Sequence, residues 1–237
     1  MSKNKTHMEQ VKEAKLEVSE SKYSTMTNVD IRNIFIEKYK NKDFTDDGML
    51  ELIGSSFTIT DEVIFKELDI DYARIEHDWY LSQSLNVNDM VFTPKIWKQV
   101  ADIDGNINSN YGWMVFSEEN GFQYRHCLHE LHRNTNSRRA SCIYQRPSMH
   151  SDALKNSMNE FTCTWGVDYH IRDNKLLATV KMRSNDLVFG TPLDYNWQRF
   201  VQARLAEDLG IKVGDMIWQA SSLHLYPRHF HLVEKWL

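Results

Sequence analysis

From Thr27 onward Ile31, Ile34, Phe35 and Tyr39 recur at helical spacing, and Asn28 or Asp30 stands where the first turn needs a cap. Leu50 to Ile59 reads instead as a strand. Tyr72 to Leu81 returns to the helical period, with Ile75, Trp79 and Tyr80 apolar and Glu76 set among them. Leu176, Ala178, Val180 and Met182 alternate cleanly with their neighbours, as one face of a strand does. Asp194 to Leu209 carries Trp197, Val201 and Leu205 on one helical stripe with Gly210 as a stop, and Met216 to Tyr226 predicts a last long strand. Helices and strands interleave without strict β-α-β repetition, so the pattern predicts an α+β protein built on a mixed β-sheet with surrounding helices. Ahead of this, residues 1–25 are polar with mixed Lys and Glu, which predicts a flexible N-terminal extension before a single folded domain over 26–237.

Composition narrows the function classes. At 237 residues and 41% hydrophobic, the chain has enough apolar material for one large core. A net charge of −5 gives no general pull toward a nucleic acid polymer or an anionic membrane, so any phosphate must be met by a local arginine cluster. A mononucleotide fits that better than a polymer. Three cysteines without regular spacing argue for reduced thiols and a cytoplasmic setting, and no apolar run of membrane-spanning or signal-peptide length occurs.

Chemistry enters with Cys163. A thiolate adds to an electron-poor ring carbon provided a nearby cation lowers the thiol's pKa, and Arg183 is the candidate cation. Cys127 and Cys142 are equally eligible on composition, and a cysteine in Phe161-Thr162-Cys163-Thr164-Trp165 also reads as a small buried hydrophobe on a strand. In Asn136-Ser137-Arg138-Arg139 two adjacent guanidinium groups offer the planar, bidentate grip that phosphate favours, although an isolated Arg-Arg pair also suits a solvated turn. His224 and Tyr226 share parity on the last strand and so emerge on one face. His126, His129 and His132 beside Cys127 fall at intervals of three on a helix, but three residues per step drifts around the axis and no carboxylate or paired-cysteine pattern accompanies them, so no metal is expected. Asp194, at the head of a helical run, has a second reading as its N-cap.

Several stretches together carry a family likeness. Cys163 followed by Met182-Arg183-Ser184-Asn185-Asp186 and Phe189-Gly190-Thr191-Pro192-Leu193-Asp194, with Glu76 three residues before Trp79, resembles the thymidylate synthase superfamily from about Met26 to Leu237. Thr93-Pro94-Lys95-Ile96-Trp97, Ile107-Asn108-Ser109-Asn110-Tyr111-Gly112-Trp113 and Arg146-Pro147-Ser148-Met149 resemble its T-even-phage branch, which hydroxymethylates deoxycytidylate (dCMP). That branch carries aspartate, here Asp194, where thymidylate synthases place the asparagine that reads uracil. The family's Pro-Cys-His is Thr162-Cys163-Thr164 here, its N-terminal arginine loop is not evident near Lys42 to Gly48, and its relatives continue past the position of Leu237 into a segment that closes over the cofactor.

The resemblance implies a thymidylate synthase-like fold, a sheet-mediated homodimer, and 5,10-methylenetetrahydrofolate as co-substrate. By it, Cys163 adds to the six-position of dCMP, the five-position takes up the one-carbon unit, and water ordered by Glu76 and Asp194 completes 5-hydroxymethyl-dCMP. By the same resemblance Arg183 and Ser184 hold the phosphate together with Arg138 and Arg139 of the other subunit, His224 and Tyr226 hold the sugar, and Asp186 and Tyr111 line the folate site. A phage enzyme of this kind would work in the host-cell cytoplasm. Two alternatives remain open: a dUMP-directed synthase or uracil hydroxymethylase, which differs at the base reader, and a non-catalytic pyrimidine-nucleotide binding module, which needs neither Cys163 nor Glu76.

Overall fold

The structure is a computed structural model that describes Tyr23, residues 26–152 and residues 157–237, so the expected tail over 1–25 otherwise lies outside the described residues. In chain order the helices are α1 (Asn28–Lys40), α2 (Ile70–Ser82), α3 (Lys95–Val100), α4 (Tyr111–Phe116), α5 (Gln123–Arg133), α6 (Met149–Asp152), α7 (Gly190–Leu209) and α8 (Phe230–Glu234). The strands are β1 (Leu50–Ile59), β2 (Ser141–Ile143), β3 (Thr164–Arg172), β4 (Lys175–Asp186) and β5 (Lys212–Leu225). They form one five-stranded sheet in the order β1-β5-β4-β3-β2.

Local chemistry explains most of the boundaries. The N-cap of helix α1 lies one residue before Asn28 and three before Asp30, the two expected caps: it is Thr27, and the Asp30 carboxylate accepts from its backbone N–H and its hydroxyl, both at 2.8 Å. Asn28 instead donates to the Thr60 and Glu62 carbonyls, tying the helix to the end of β1. Helix α7 starts at Gly190, four residues before the position expected from the apolar stripe. Pro192 lies in its first turn, where a missing N–H costs nothing, and Thr191 donates to the Asp186 carbonyl at 3.0 Å. Asp194 is therefore inside the helix and cannot be its cap. The last strand runs Lys212–Leu225, leaving Tyr226 just beyond it.

β3 and β4 form a hairpin whose two turn residues, Asp173 and Asn174, both have positive φ, the conformation that twists with the flanking strands and that Asp and Asn tolerate. β4 and β5 are parallel, and α7 makes the crossover that a parallel pair requires. α7 packs Trp197, Phe200, Val201 and Leu205 onto Val180, Met182, Met216 and Trp218 of the sheet, all 2% exposed or less. Each fully buried large aromatic contributes about 4–6 kcal/mol of gross transfer free energy before its entropy cost. Gly112 of α4 lies flat against the backbone of Tyr80 at the end of α2, so close that any Cβ would collide. That approach brings Tyr111 into stacking contact with Tyr80 at 5.2 Å.

The register puts the functional segments at one edge of the sheet. Asp186 ends β4 opposite His224 of parallel β5, and Thr164 begins β3 opposite Met182. The carboxyl ends of parallel strands are where open sheets hold ligands. Elsewhere Trp165, Lys181, Gln219 and Ser221 line a depression on the sheet, and Ile53 and Trp165 stay 70% and 56% exposed.

Candidate active site

Cys163 sits in a bend immediately before β3, half-buried, and not on a strand as its sequence context suggested. A β-bulge between Thr164 and Gly166 follows it, and there a side chain at Gly166 would press on the Cys142 carbonyl. Arg183 pins this bend. Its Nε donates to the Thr162 carbonyl at 3.1 Å, its Nη2 to the Phe161 carbonyl at 2.6 Å, and the same Nη2 lies 3.8 Å from the Cys163 sulfur.

The cation is thus where the chemistry wants it, yet the thiol is not depressed. Burial pushes Cys163 up to about 11, and the carboxyls of Asp194 and Glu160 add to that, outweighing the Arg183 guanidinium. The expectation of a thiol lowered by its arginine is corrected on this point: Arg183 does pull downward, but burial and the two carboxyls hold Cys163 above the ordinary thiol range.

Asp194, on the second turn of α7, is raised to about 8 by burial and by Glu76, while the Tyr111 hydroxyl and the Asn185 amide pull it back. Asn185 has a defined orientation because its oxygen accepts from Trp218 Nε1 at 3.0 Å and from the Thr191 hydroxyl at 2.6 Å. Its nitrogen therefore faces Asp194 Oδ2, at 3.0 Å. Glu76 of α2 is buried, accepts from the Tyr72 hydroxyl at 2.8 Å, and is raised to about 7 by desolvation. The Trp97 indole N–H in turn donates to Tyr72 at 2.8 Å.

Tyr111 is buried below this group. Its hydroxyl accepts from Thr164 at 2.9 Å and bears on Asp194, so it supports the carboxyl from beneath with little surface of its own for a ligand. Asp186 accepts from the Val188 and Phe189 N–H groups at 3.1 and 3.3 Å and closes the turn into α7. Ser184 lies half-buried between Arg183 and Asn185. The rings of His224 and Tyr226 meet edge to face at 5.0 Å. Burial lowers His224, and the Tyr226 phenol is raised by burial and then by Asp186, with Arg228, Cys163 and Asp47 also within its field.

Arg138 and Arg139 are not brought to Cys163 within the chain. They are exposed on the turn between α5 and β2, where the Ala140 carbonyl accepts from the Tyr169 N–H at 2.8 Å. Cys163 lies six residues before Tyr169, about 20 Å along the strand. His126, His129 and His132 are exposed on α5, and among the described residues no group of three His, Cys, Asp or Glu side chains is placed to hold a metal.

Three functional neighbours had no individual signal in the sequence. Asn185 was one unremarked letter of the Arg-Ser-Asn-Asp run, and Arg228 stands over the Tyr226 ring at 4.1 Å. Glu160 is buried three residues before Cys163, where burial raises it to about 7. A carboxylate so near a candidate thiol is the signal that would have found it.

A thiol beside an arginine, the buried Glu76 and half-buried Asp194 carboxyls, and polar strand ends make up a site suited to addition to an activated ring. The chain belongs to the thymidylate synthase family, whose family model matches residues 31–237. It is 47% identical over 224 residues to the deoxycytidylate 5-hydroxymethyltransferases of Enterobacteria phages T4 and T2, covering 90% of this chain and 91% of each relative. It is also 26% identical over 188 residues to a thymidylate synthase of Francisella tularensis subsp. holarctica, covering 74% of this chain and 68% of that one. Among solved structures, the thermostable thymidylate synthase A of Bacillus subtilis superposes with a TM-score of 0.66 over 86% of this chain and 82% of that chain at 23% identity, which shows the shared fold.

Proposed function

We propose that this protein converts dCMP, 5,10-methylenetetrahydrofolate and water into 5-hydroxymethyl-dCMP and tetrahydrofolate. The 47% identity to phage deoxycytidylate 5-hydroxymethyltransferases supports the reaction. The observation that carries the substrate is Asp194, a carboxyl raised to about 8 and held by an amide whose orientation is fixed. Cytosine offers an amino donor beside a ring nitrogen acceptor. One carboxyl proton shared with that nitrogen gives two hydrogen bonds wherever it rests, and the protonated ring is the better electrophile. Uracil offers a ring N–H where cytosine has an acceptor nitrogen, so it cannot take up the carboxyl proton and gains no activation of the ring.

As Asp194 gives its proton to the ring nitrogen, it becomes the carboxylate that bears most strongly on the Cys163 thiol. The Sγ–H proton passes there while sulfur bonds to the six-position and Arg183 steadies the developing thiolate. Glu76, near neutral pKa, orders the water that completes the hydroxymethyl group. Arg183, Ser184, His224 and Tyr226 hold the nucleotide. Half-buried Trp97, linked through Tyr72 to Glu76, and exposed Phe189, three residues after Asp186, offer ring faces suited to a fused heterocycle. With Asp186 they form the folate side, while Tyr111, expected there too, is too buried to do more than support Asp194 from beneath, and the folate supplies a one-carbon unit when bound.

The phosphate grip needs a second copy. Arg138 and Arg139 stand well away from their own Cys163, and Ile53 and Trp165 leave apolar surface on the sheet, so a symmetric sheet-to-sheet homodimer supplies the arginines across the interface. The test of the function is direct. Incubating the protein with labelled dCMP and methylenetetrahydrofolate should give a product heavier by one hydroxymethyl group by mass spectrometry. A methylated product, or turnover of dUMP in preference to dCMP, would overturn the reading.

A further inference from the structure

Glu160 is the buried acid that the reaction above leaves unused. It is 6% exposed, its Oε2 accepts from the Asn108 N–H at 2.8 Å, and its Oε1 accepts from the Ser109 hydroxyl. The Ser109 oxygen lies 3.0 Å from the Thr162 hydroxyl, so the carboxyl reaches the residue next to the nucleophile through one side chain. The Thr162 carbonyl is gripped in turn by Gln145 at 2.7 Å and by Arg183 at 3.1 Å, the arginine that touches the Cys163 sulfur. Arg146 donates to the Asn108 side chain at 2.7 Å. Two separate stretches, Asn108-Ser109 and Gln145-Arg146, thus converge on one four-residue turn, and Glu160 is its anchor.

We propose that Glu160 is a positioning residue for Cys163: through Ser109 and Thr162 it holds the 160–163 turn in the form that sets the thiol against Arg183, and its charge governs how readily the thiolate forms. This rests on Cys163 being the nucleophile of the proposed reaction. A buried carboxylic acid is an expensive way to hold a turn, since desolvation penalises its ionised form. Its charge is therefore the part that a neutral hydrogen-bonding residue would not reproduce. The groups facing the thiol are Asp194 from α7, Arg183 from β4 and Glu160 from its own turn, with the Tyr111 and Tyr226 phenols also within its field. Glu160 itself faces Arg146 and Arg183. Arg183 grips the Phe161 and Thr162 carbonyls from outside, and of the carboxyls only Glu160 belongs to the backbone segment that carries Cys163.

The experiment compares Glu160→Ala with Glu160→Gln. Glutamine can accept from the Asn108 N–H with its oxygen and donate to Ser109 with its nitrogen, keeping the tie while removing the charge. Alanine should cut kcat for dCMP about 100-fold, the scale of a misplaced reacting group, with KM changed far less. Glutamine should recover most of that loss. The second readout needs no substrate: the pH profile of Cys163 alkylation by iodoacetamide, with Cys163→Ala as background, should move to lower pH in Glu160→Gln. Wild-type kcat in a folded alanine variant, glutamine as impaired as alanine, or an unmoved alkylation profile in the glutamine variant would each overturn the proposal. If alanine prevents folding, the glutamine profile decides alone. A protein that fails to turn over dCMP yet shows the shifted profile would separate failure of the reaction assignment from failure of this one.

Discussion

The cleft around Cys163 and the turn carrying Arg138 and Arg139 handle charge in opposite ways. In the cleft, Glu76, Asp194 and Glu160 are taken out of water, raised to about 7, 8 and 7, and each is tied by named hydrogen bonds. On the turn two guanidinium groups stand in solvent. The first region stores electrostatic strain that chemistry can use, because a buried acid near neutral pKa exchanges protons at little cost. The second costs the single chain almost nothing, and in the proposed homodimer its use comes when a partner's phosphate site meets it. A preorganised centre is built inside one chain; the proposed shared grip waits on assembly.

The sharpest way to break the comparison is to remove the thiol. Cys163→Ser should lose turnover by several orders of magnitude while still binding dCMP, because a hydroxyl has almost no alkoxide at neutral pH. Turnover near wild type, measured beside equilibrium nucleotide binding, would remove covalent catalysis and with it the reason for the cleft's acids. Asp194→Asn comes next. It should lower kcat/KM for dCMP by about two to four orders of magnitude and raise the relative use of dUMP, since mispaired buried polar groups discriminate more than lost apolar contact. Helix α7 should survive the change, because Asp194 is not its cap. An unaltered dCMP-to-dUMP preference in the folded variant would end its assignment as base reader.

The turn is tested by mixing. Cys163→Ala and Arg139→Ala chains, each inactive alone, should recover activity at about one quarter of the sites after random reassociation, since half the dimers are mixed and each of these has one intact site. Mixed dimers, verified by mass, that stay silent would show that the arginines are not shared. The smallest effect is on stability. Glu76 has its folded-state pKa raised from 4.5 to about 7, so the folded protein holds that proton more tightly than the unfolded chain, and stability falls as pH rises through this window. Glu76→Gln should therefore melt higher than wild type at pH 8, by on the order of 3 kcal/mol, with the advantage gone near pH 4. Arg138→Ala and Arg139→Ala should leave the melting temperature almost unchanged, as exposed substitutions do. Equal pH profiles for Glu76→Gln and wild type would show that the cleft does not hold its acids at a cost.

Much of this protein is legible in its residues. The Leu50–Ile59 strand, the α1 and α2 helices and the inner face of β4 follow from apolar period alone, because burial imposes 3.6 and 2 as the only spacings that keep a stripe on the core. The motifs around Cys163, Arg183 and Asp194 name the family, and the letter at 194 names the branch. Four things were decided only in three dimensions. Helix α7 begins at Gly190, because a hydroxyl and a proline complete a first turn that has no apolar stripe to announce it. Asn185 and Glu160 acquire roles from partners 33 and 52 residues away, Trp218 and Asn108, which no local pattern encodes. The thiol sits high despite its arginine, because the loss of water, a carboxyl from distant α7 and one from its own turn outweigh one cation. Arg138 and Arg139 lie far from the Cys163 of their own chain, because an antiparallel pairing of β2 with β3 carries them to the opposite end of the strand. Periodicity and motif are properties of neighbours along the chain; pKa, orientation and reach are set by neighbours across it.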